Sequence, residues 1–161
     1  MPDAPRGPAF RPLLSYEVNS TSDVLRRSAA LRFRREQDCS LMEWRTLALI
    51  EHLQPVTLRA LTDYSSTDKA QISRIVTGLV GRGMVRRRAH RTDARSAELA
   101  LTAAGTRTLA GLVAAARDRD RALREVLSAE EAEQLVAALN KLKARAQELI
   151  AQEEEALAAR G

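Results

Sequence analysis

Between Lys69 and Arg95 the chain places eight Lys or Arg residues against a single acid, Asp93. That is a net charge of +7 in 27 residues, whereas the whole chain carries only +5, so everything outside this window sums to −2. The residue types suit recognition of a polyanion rather than the making or breaking of bonds. Gln and Arg can bond the edges of adenine and guanine through two hydrogen bonds at once, Ser and Thr reach phosphates or bases, and Lys neutralises phosphate. Lys69, Gln71, Ser73, Arg74 and Thr77 fall at spacings that put them toward one side of a helix. Arg91 and Arg95 lie further on, beside Asp93. A charge run of this kind is also what a solvated helix face looks like, so the elements that hold it must decide.

Other chemistries find little support. The chain has one cysteine, Cys39, and two histidines, His52 and His90, with no CxxC or HxxxH spacing, so no metal site is expected. No nucleophile–base pair, phosphate loop or other catalytic constellation is evident, and neither an enzyme nor a bound cofactor is expected. No apolar run approaches ~20 residues and no signal-peptide core is present, which excludes a membrane partner and points to the cytoplasm. Hydrophobic residues make up 45% but aromatics only 3%, the profile of closely packed helices. Cys39 reads as a small buried hydrophobe rather than a redox centre.

The elements follow from spacing and caps. Residues 1–12 hold four of the five prolines and read as a mobile arm. Leu14, Val18, Leu25, Ala29 and Phe33 form a helical stripe over about residues 13–38, with Arg32 and Glu36 unexpectedly on its inward side. Ser40 with Glu43 is a capping box, and Cys39 with Trp44 occupies the two positions of a hydrophobic staple. The helix they open should be the central one, stopping before Pro55. Thr57 can cap a short helix over 58–63, and Asp68 or Thr67 a further helix in which Ile72, Ile75, Val76 and Leu79 make the buried side. Gly83 ends that helix in the left-handed conformation. Residues 84–90 and 96–101 read as two strands around a tip at 91–95. On the first strand Arg86, Arg87 and Arg88 cannot all face one way, because neighbours alternate. Thr102 caps a helix to about 127, and Ser128 with Glu131 opens a last one to about 158, striped by Leu135, Leu139, Leu142, Leu149 and Ile150.

Helix, turn, helix and basic hairpin make a winged helix-turn-helix, whose second helix enters a major groove while the hairpin reaches the flanking backbone or minor groove. Here the chain resembles one family. Asp93-Ala94-Arg95, followed by Leu101-Thr102-Ala103-Ala104-Gly105, is similar to the DxR…LTxxG signature of MarR-type transcriptional regulators. Ser73-Arg74-Ile75-Val76 with Arg82-Gly83-Met84-Val85 resembles their recognition helix and its exit, and Leu41 to Leu47, with Trp44, their second helix. The likeness runs in order over about residues 14–150, although Ser96 follows the signature and the tip lacks glycine.

The fold expected is mainly α with a small β-wing: N-terminal helices at 13–54, a winged core at 55–102 and C-terminal helices at 103–161, the two flanking sets serving dimerisation. The resemblance implies a homodimer on double-stranded palindromic DNA, read by Lys69, Gln71, Ser73, Arg74, Thr77, Arg91 and Arg95, with Asp93 fixing a wing arginine. It also implies a repressor relieved by a small aromatic carboxylate or phenol in a cleft near Arg32, Trp44, Arg45 and His52. Beside this stand an internal Arg32–Glu36 pair that needs no ligand, a sequence-tolerant architectural DNA binder, and a helical protein-interaction module with a basic face.

Overall fold

The computed structural model describes residues 13–65, 67–89 and 97–160. In chain order the elements are α1 (Leu14–Gln37), α2 (Leu41–Leu53), β1 (Val56–Thr57), α3 (Leu58–Ser65), α4 (Lys69–Gly81), β2 (Val85–Ala89), β3 (Ala97–Leu101), α5 (Ala103–Arg124) and α6 (Ala129–Ala158). They form two compact units, one ending at Arg117 and one beginning at Asp118, so the boundary falls within α5.

The first unit is built around α2, which contacts α1, α3, α4 and β3. Its start is fixed by local chemistry: Ser40 Oγ accepts the Glu43 N–H at 3.1 Å, and Glu43 Oε2 accepts the Ser40 N–H at 2.7 Å. Cys39 and Leu47 beside this start are fully buried, and Trp44 is packed against the core. From α4, Ile72, Val76 and Leu79 join Leu47, Ile50 and Leu61 in one apolar cluster with Val85, Leu99 and Leu101 of the sheet. Asp68 Oδ2 caps α4 by accepting the Gln71 N–H at 3.0 Å, and Gly83, at φ +70°, ends it. The Thr57 hydroxyl accepts the Ala60 N–H at the start of α3, which runs on to Ser65.

The sheet has the order β1-β3-β2, antiparallel throughout. Val85 pairs with Leu101, Arg87 with Leu99 and Ala89 with Ala97, and β1 pairs Val56 with Leu99 on the other edge. The pleat therefore puts Val85, Arg87, Leu99 and Leu101 on the face toward the core, and Arg86, Arg88, Glu98 and Ala100 on the other.

One joint ties the sheet to α5. Thr102 Oγ1 donates to Gly83 O at 2.6 Å and accepts the Gly105 N–H at 3.1 Å, while the Thr102 N–H donates to Met84 O at 3.0 Å. Gly105 is buried, and a Cβ there would collide with the Met84 carbonyl. The Leu-Thr-x-x-Gly run is thus a core residue, a cap and a point of close approach.

The long stripe on α1 is only partly buried. Ala29 and Phe33 are buried, whereas Leu14 and Leu25 are exposed and Val18 is half-buried. Periodicity identifies the apolar side of a helix but not what covers it, and in the single chain only the last turns are covered. In the second unit, α6 opens with the Ser128–Glu131 capping box and has no buried residue. Its Leu135, Val136, Leu139, Leu142, Leu149 and Ile150 are all exposed.

Replacing Gly105 by Ala is expected to destabilise the chain by about 1–3 kcal/mol through overpacking against backbone that cannot yield. The readout is a lower urea midpoint at unchanged m-value. A variant as stable as the parent would show that α5 does not press on Met84.

Candidate nucleic-acid interface

The helix that begins at Lys69 buries one side and offers the other. Lys69, Gln71, Arg74 and Thr77 are exposed and Ser73 is half-buried, while Ile72, Val76 and Leu79 face inward. The five residues singled out on this helix are thereby brought onto one accessible surface. With α3 before it and the hairpin after it, α4 has the placement of a helix that can enter a major groove.

Of the three consecutive wing arginines, Arg87 is the one on the α4 side. Its Nη2 donates to Thr77 Oγ1 at 3.2 Å, so one guanidinium joins wing and helix. The sequence contained the signal for this: Val85 must face the core, and Arg87 shares its side of the strand. Arg86 and Arg88 lie on the opposite face, around a groove of about 340 Å³ that Gln54, Pro55 and Glu98 also line. Arg82, counted within the basic window, is paired with Glu43 and is withdrawn from the polyanion-facing set. Arg91, Asp93 and Arg95 lie outside the described residues.

Beneath α4 is a cleft of about 540 Å³, lined by Met42, Trp44, Arg45, Ala48, Leu49 and His52 of α2, with Tyr64, Ser65, Thr67 and Ile72 closing the far side. Arg45 and His52 are exposed at this cleft, and Trp44 forms its partly buried wall. The Trp44 ring meets Phe33 edge to face, with centroids 5.0 Å apart at 67°. Its indole Nε1 is buried without a hydrogen-bond partner among the described residues, an unusual state for a buried donor. Arg32 does not line this cleft, and its guanidinium is in ion contact with Glu36 one turn on. The four residues named for a ligand are therefore split, three at the cleft and one engaged within α1.

Cys39 is fully buried with the Arg82 guanidinium 3.8 Å from its sulfur. Burial pushes its thiol above the ordinary range, against the opposing pull of Arg82. A protonated, enclosed thiol is a poor nucleophile. Among the described residues no group of three His, Cys, Asp or Glu could hold a metal, and no helix is long and apolar enough to cross a membrane.

Residues 37–96 match the model of the MarR family. Among solved structures, the fold is similar to that of S. aureus MepR in complex with DNA, at 19% identity and a TM-score of 0.70, covering 82% of this chain and 97% of that one. Wild-type MarR from E. coli aligns at 22% identity and a TM-score of 0.69, covering 80% and 96%. A probable transcriptional regulator from Pseudomonas aeruginosa reaches 27% identity with a TM-score of 0.65, covering 78% and 96%. No curated protein sequence matches.

In the folded protein Cys39 is expected to resist an aromatic disulfide reagent and to react fully once urea opens the core. Rapid stoichiometric labelling without denaturant would contradict the burial described.

Proposed function

We propose that this chain, a member of the MarR family of DNA-binding transcriptional regulators, is a homodimeric repressor of palindromic operators that a small aromatic acid or phenol relieves. The observation that carries the DNA-reading part is the polar side of α4: Lys69, Gln71, Arg74 and Thr77 exposed together beside Arg87. These are phosphate-neutralising and base-reading types on one accessible helix. On the resemblance alone, Arg91 and Arg95 would contact DNA as well and Asp93 would orient an arginine; all three lie outside the described residues. Membership of a family of regulators, not enzymes, agrees with this assignment.

Dimerisation is supported by what the single chain leaves uncovered. The N-terminal turns of α1 expose Leu14, Val24 and Leu25, and α6 exposes an apolar stripe along its length. Exposed apolar stripes such as these mark interaction sites, and a second copy is the economical cover. Two-fold symmetry then asks for half-sites about 34–36 Å apart.

The ligand part rests on the cleft beneath α4. It joins apolar walls from Met42, Leu49 and Ile72 to two groups able to meet an anion, Arg45 and His52. The Trp44 ring adds a wall to the cleft. With Arg32 engaged by Glu36, Arg45 is the preferred countercharge for a carboxylate.

The DNA assignment is tested with an operator selected from a random duplex library by the wild-type chain. Two chains per palindrome are expected, and log affinity should fall against log salt with a slope of about −0.9 per phosphate neutralised. Arg74→Ala is expected to cost about 1–3 kcal/mol and to relax preference at one base pair per half-site. A salt-insensitive complex, or failure to enrich any palindrome, would overturn the reading.

The ligand assignment is tested by operator release against a panel of benzoates, hydroxylated pyridine carboxylates and phenylpropenoids. Wild type should release DNA with at least one of them, and Arg45→Ala should need about tenfold more of it, the worth of one charged hydrogen bond. Arg32→Ala should respond as wild type does. Silence of the wild type toward the whole panel would sink the aromatic-acid class, and equal potency on Arg45→Ala would sink the role of Arg45.

A further inference from the structure

Three helix ends converge on one guanidinium that belongs to neither the DNA-facing surface nor the cleft. Arg82 is the C-cap of α4. Its Nη1 donates to Glu43 Oε1 at 2.8 Å, in the first turn of α2. Its Nη2 donates to the backbone carbonyl of Asp38 at 2.7 Å, and Asp38 is the left-handed C-cap of α1. Glu43 is occupied on both oxygens, since Oε2 accepts the Ser40 N–H of the capping box. The pair is sheltered, with the Arg82 side chain 31% and the Glu43 side chain 18% exposed, so it is not the freely solvated kind that contributes little.

Geometry gives this contact its leverage. The apolar stripe of α4 holds the helix against α2, but hydrophobic contact is non-directional and tolerates small rotations. The polar bonds elsewhere on α4 are local: Asp68 caps its own helix, and Thr77 bonds the wing. Arg82 reaches across to the ends of α1 and α2 with a planar fork whose two donors fix a direction. A helix of 13 residues is about 20 Å long at 1.5 Å per residue, so a tilt of about 10° at its end moves its first turn by about 3–4 Å. That is about one base-pair step, at the end carrying Lys69, Gln71 and Arg74.

We propose that Arg82 is the positioning residue of this DNA reader: by clamping the C-terminal end of α4 to the α1–α2 corner, it sets the half-site spacing that the dimer accepts. The proposal rests on the dimeric reading above, because one copy alone has no spacing to set.

The experiment compares the full-length wild type with Arg82→Gln, Arg82→Lys, Glu43→Gln and the double variant carrying both glutamines. Each is titrated against a single half-site, the selected palindrome, and palindromes lengthened or shortened by one base pair, with thermal melting alongside. For Arg82→Gln, half-site affinity and salt slope should stay near wild type, while preference for the selected spacing over its neighbours falls about tenfold, or about 1.4 kcal/mol. Arg82→Lys should lose the same preference, since an ammonium keeps the charge but not the fork. Glu43→Gln should move in the same direction and add little to Arg82→Gln, as partners in one contact do.

Full spacing preference in Arg82→Lys would overturn the proposal in favour of simple charge. So would equal losses on half-site and palindrome with a flattened salt slope, which mark a phosphate contact. A lowered melting temperature with unchanged spacing preference would mark a purely structural bond. A wild type that prefers no spacing would overturn the dimeric reading itself, and this proposal with it.

Discussion

The accessible polar side of α4, and with it the candidate nucleic-acid surface, depends on the burial of one stripe of that helix. Ile72, Val76 and Leu79 are fully enclosed with Leu47, Ile50 and Leu61, and at 3.6 residues per turn that enclosure dictates what the other side presents. Once these three are fixed, Lys69, Gln71 and Arg74 are turned to solvent and Thr77 to the wing, where it meets Arg87. Burial of three aliphatic side chains contributes roughly 1.5–3 kcal/mol each, far more than polar contacts on the exposed side can supply. The helix can therefore keep groups whose hydrogen bonds are saved for a partner. Its ends are settled by separate chemistry: a carboxylate cap at Asp68, a left-handed glycine at Gly83, and the Arg82 fork to the α1–α2 corner.

The sheet inherits its orientation from the same core. Val85, Leu99 and Leu101 must be inside, and the pleat then assigns every neighbouring side chain without further choice. Arg87 falls on the α4 side and bonds Thr77, whereas Arg86 and Arg88 are sent to the opposite face with Glu98. Thr102 completes the joint by bonding the exit of α4 and capping α5 in the same stroke. Close approach at Gly105 leaves that joint little play.

Local signals were legible because they act locally. The capping boxes at Ser40 and Ser128, the Thr57, Asp68 and Thr102 caps and the Gly83 stop all involve residues three or four apart, and each lies where spacing alone predicts. Strand alternation was legible for the same reason. What escaped is what the chain settles at long range. The Arg82–Glu43 contact spans 39 residues, and nothing in the spacing of either residue announces it; a basic window simply counts Arg82 as one more positive charge. Arg32 illustrates the converse. Helix geometry placed it inward, yet whether an inward arginine meets a ligand or its neighbour depends on a rotamer, and here Glu36 lies within reach. The stripe on α1 does not predict burial because an apolar side is a property of the helix, while its cover depends on what packs against it.

The first turns of α2 bring two of these features side by side. Glu43 faces Arg82 at the end of α4, and the next two residues, Trp44 and Arg45, line the cleft beneath α4. Any molecule seated in that cleft can alter DNA binding only by preferring one state of the protein over another. It cannot do so by occupancy alone. The wall opposite α2 is supplied by Tyr64, Thr67 and Ile72, which belong to the end of α3, the turn before α4 and α4 itself, so a molecule seated there would touch both helices of the pair at once. The same elements lead into the N-terminal turns of α4, which carry the residue types suited to reading bases, so the cleft adjoins the part of the helix whose placement matters most.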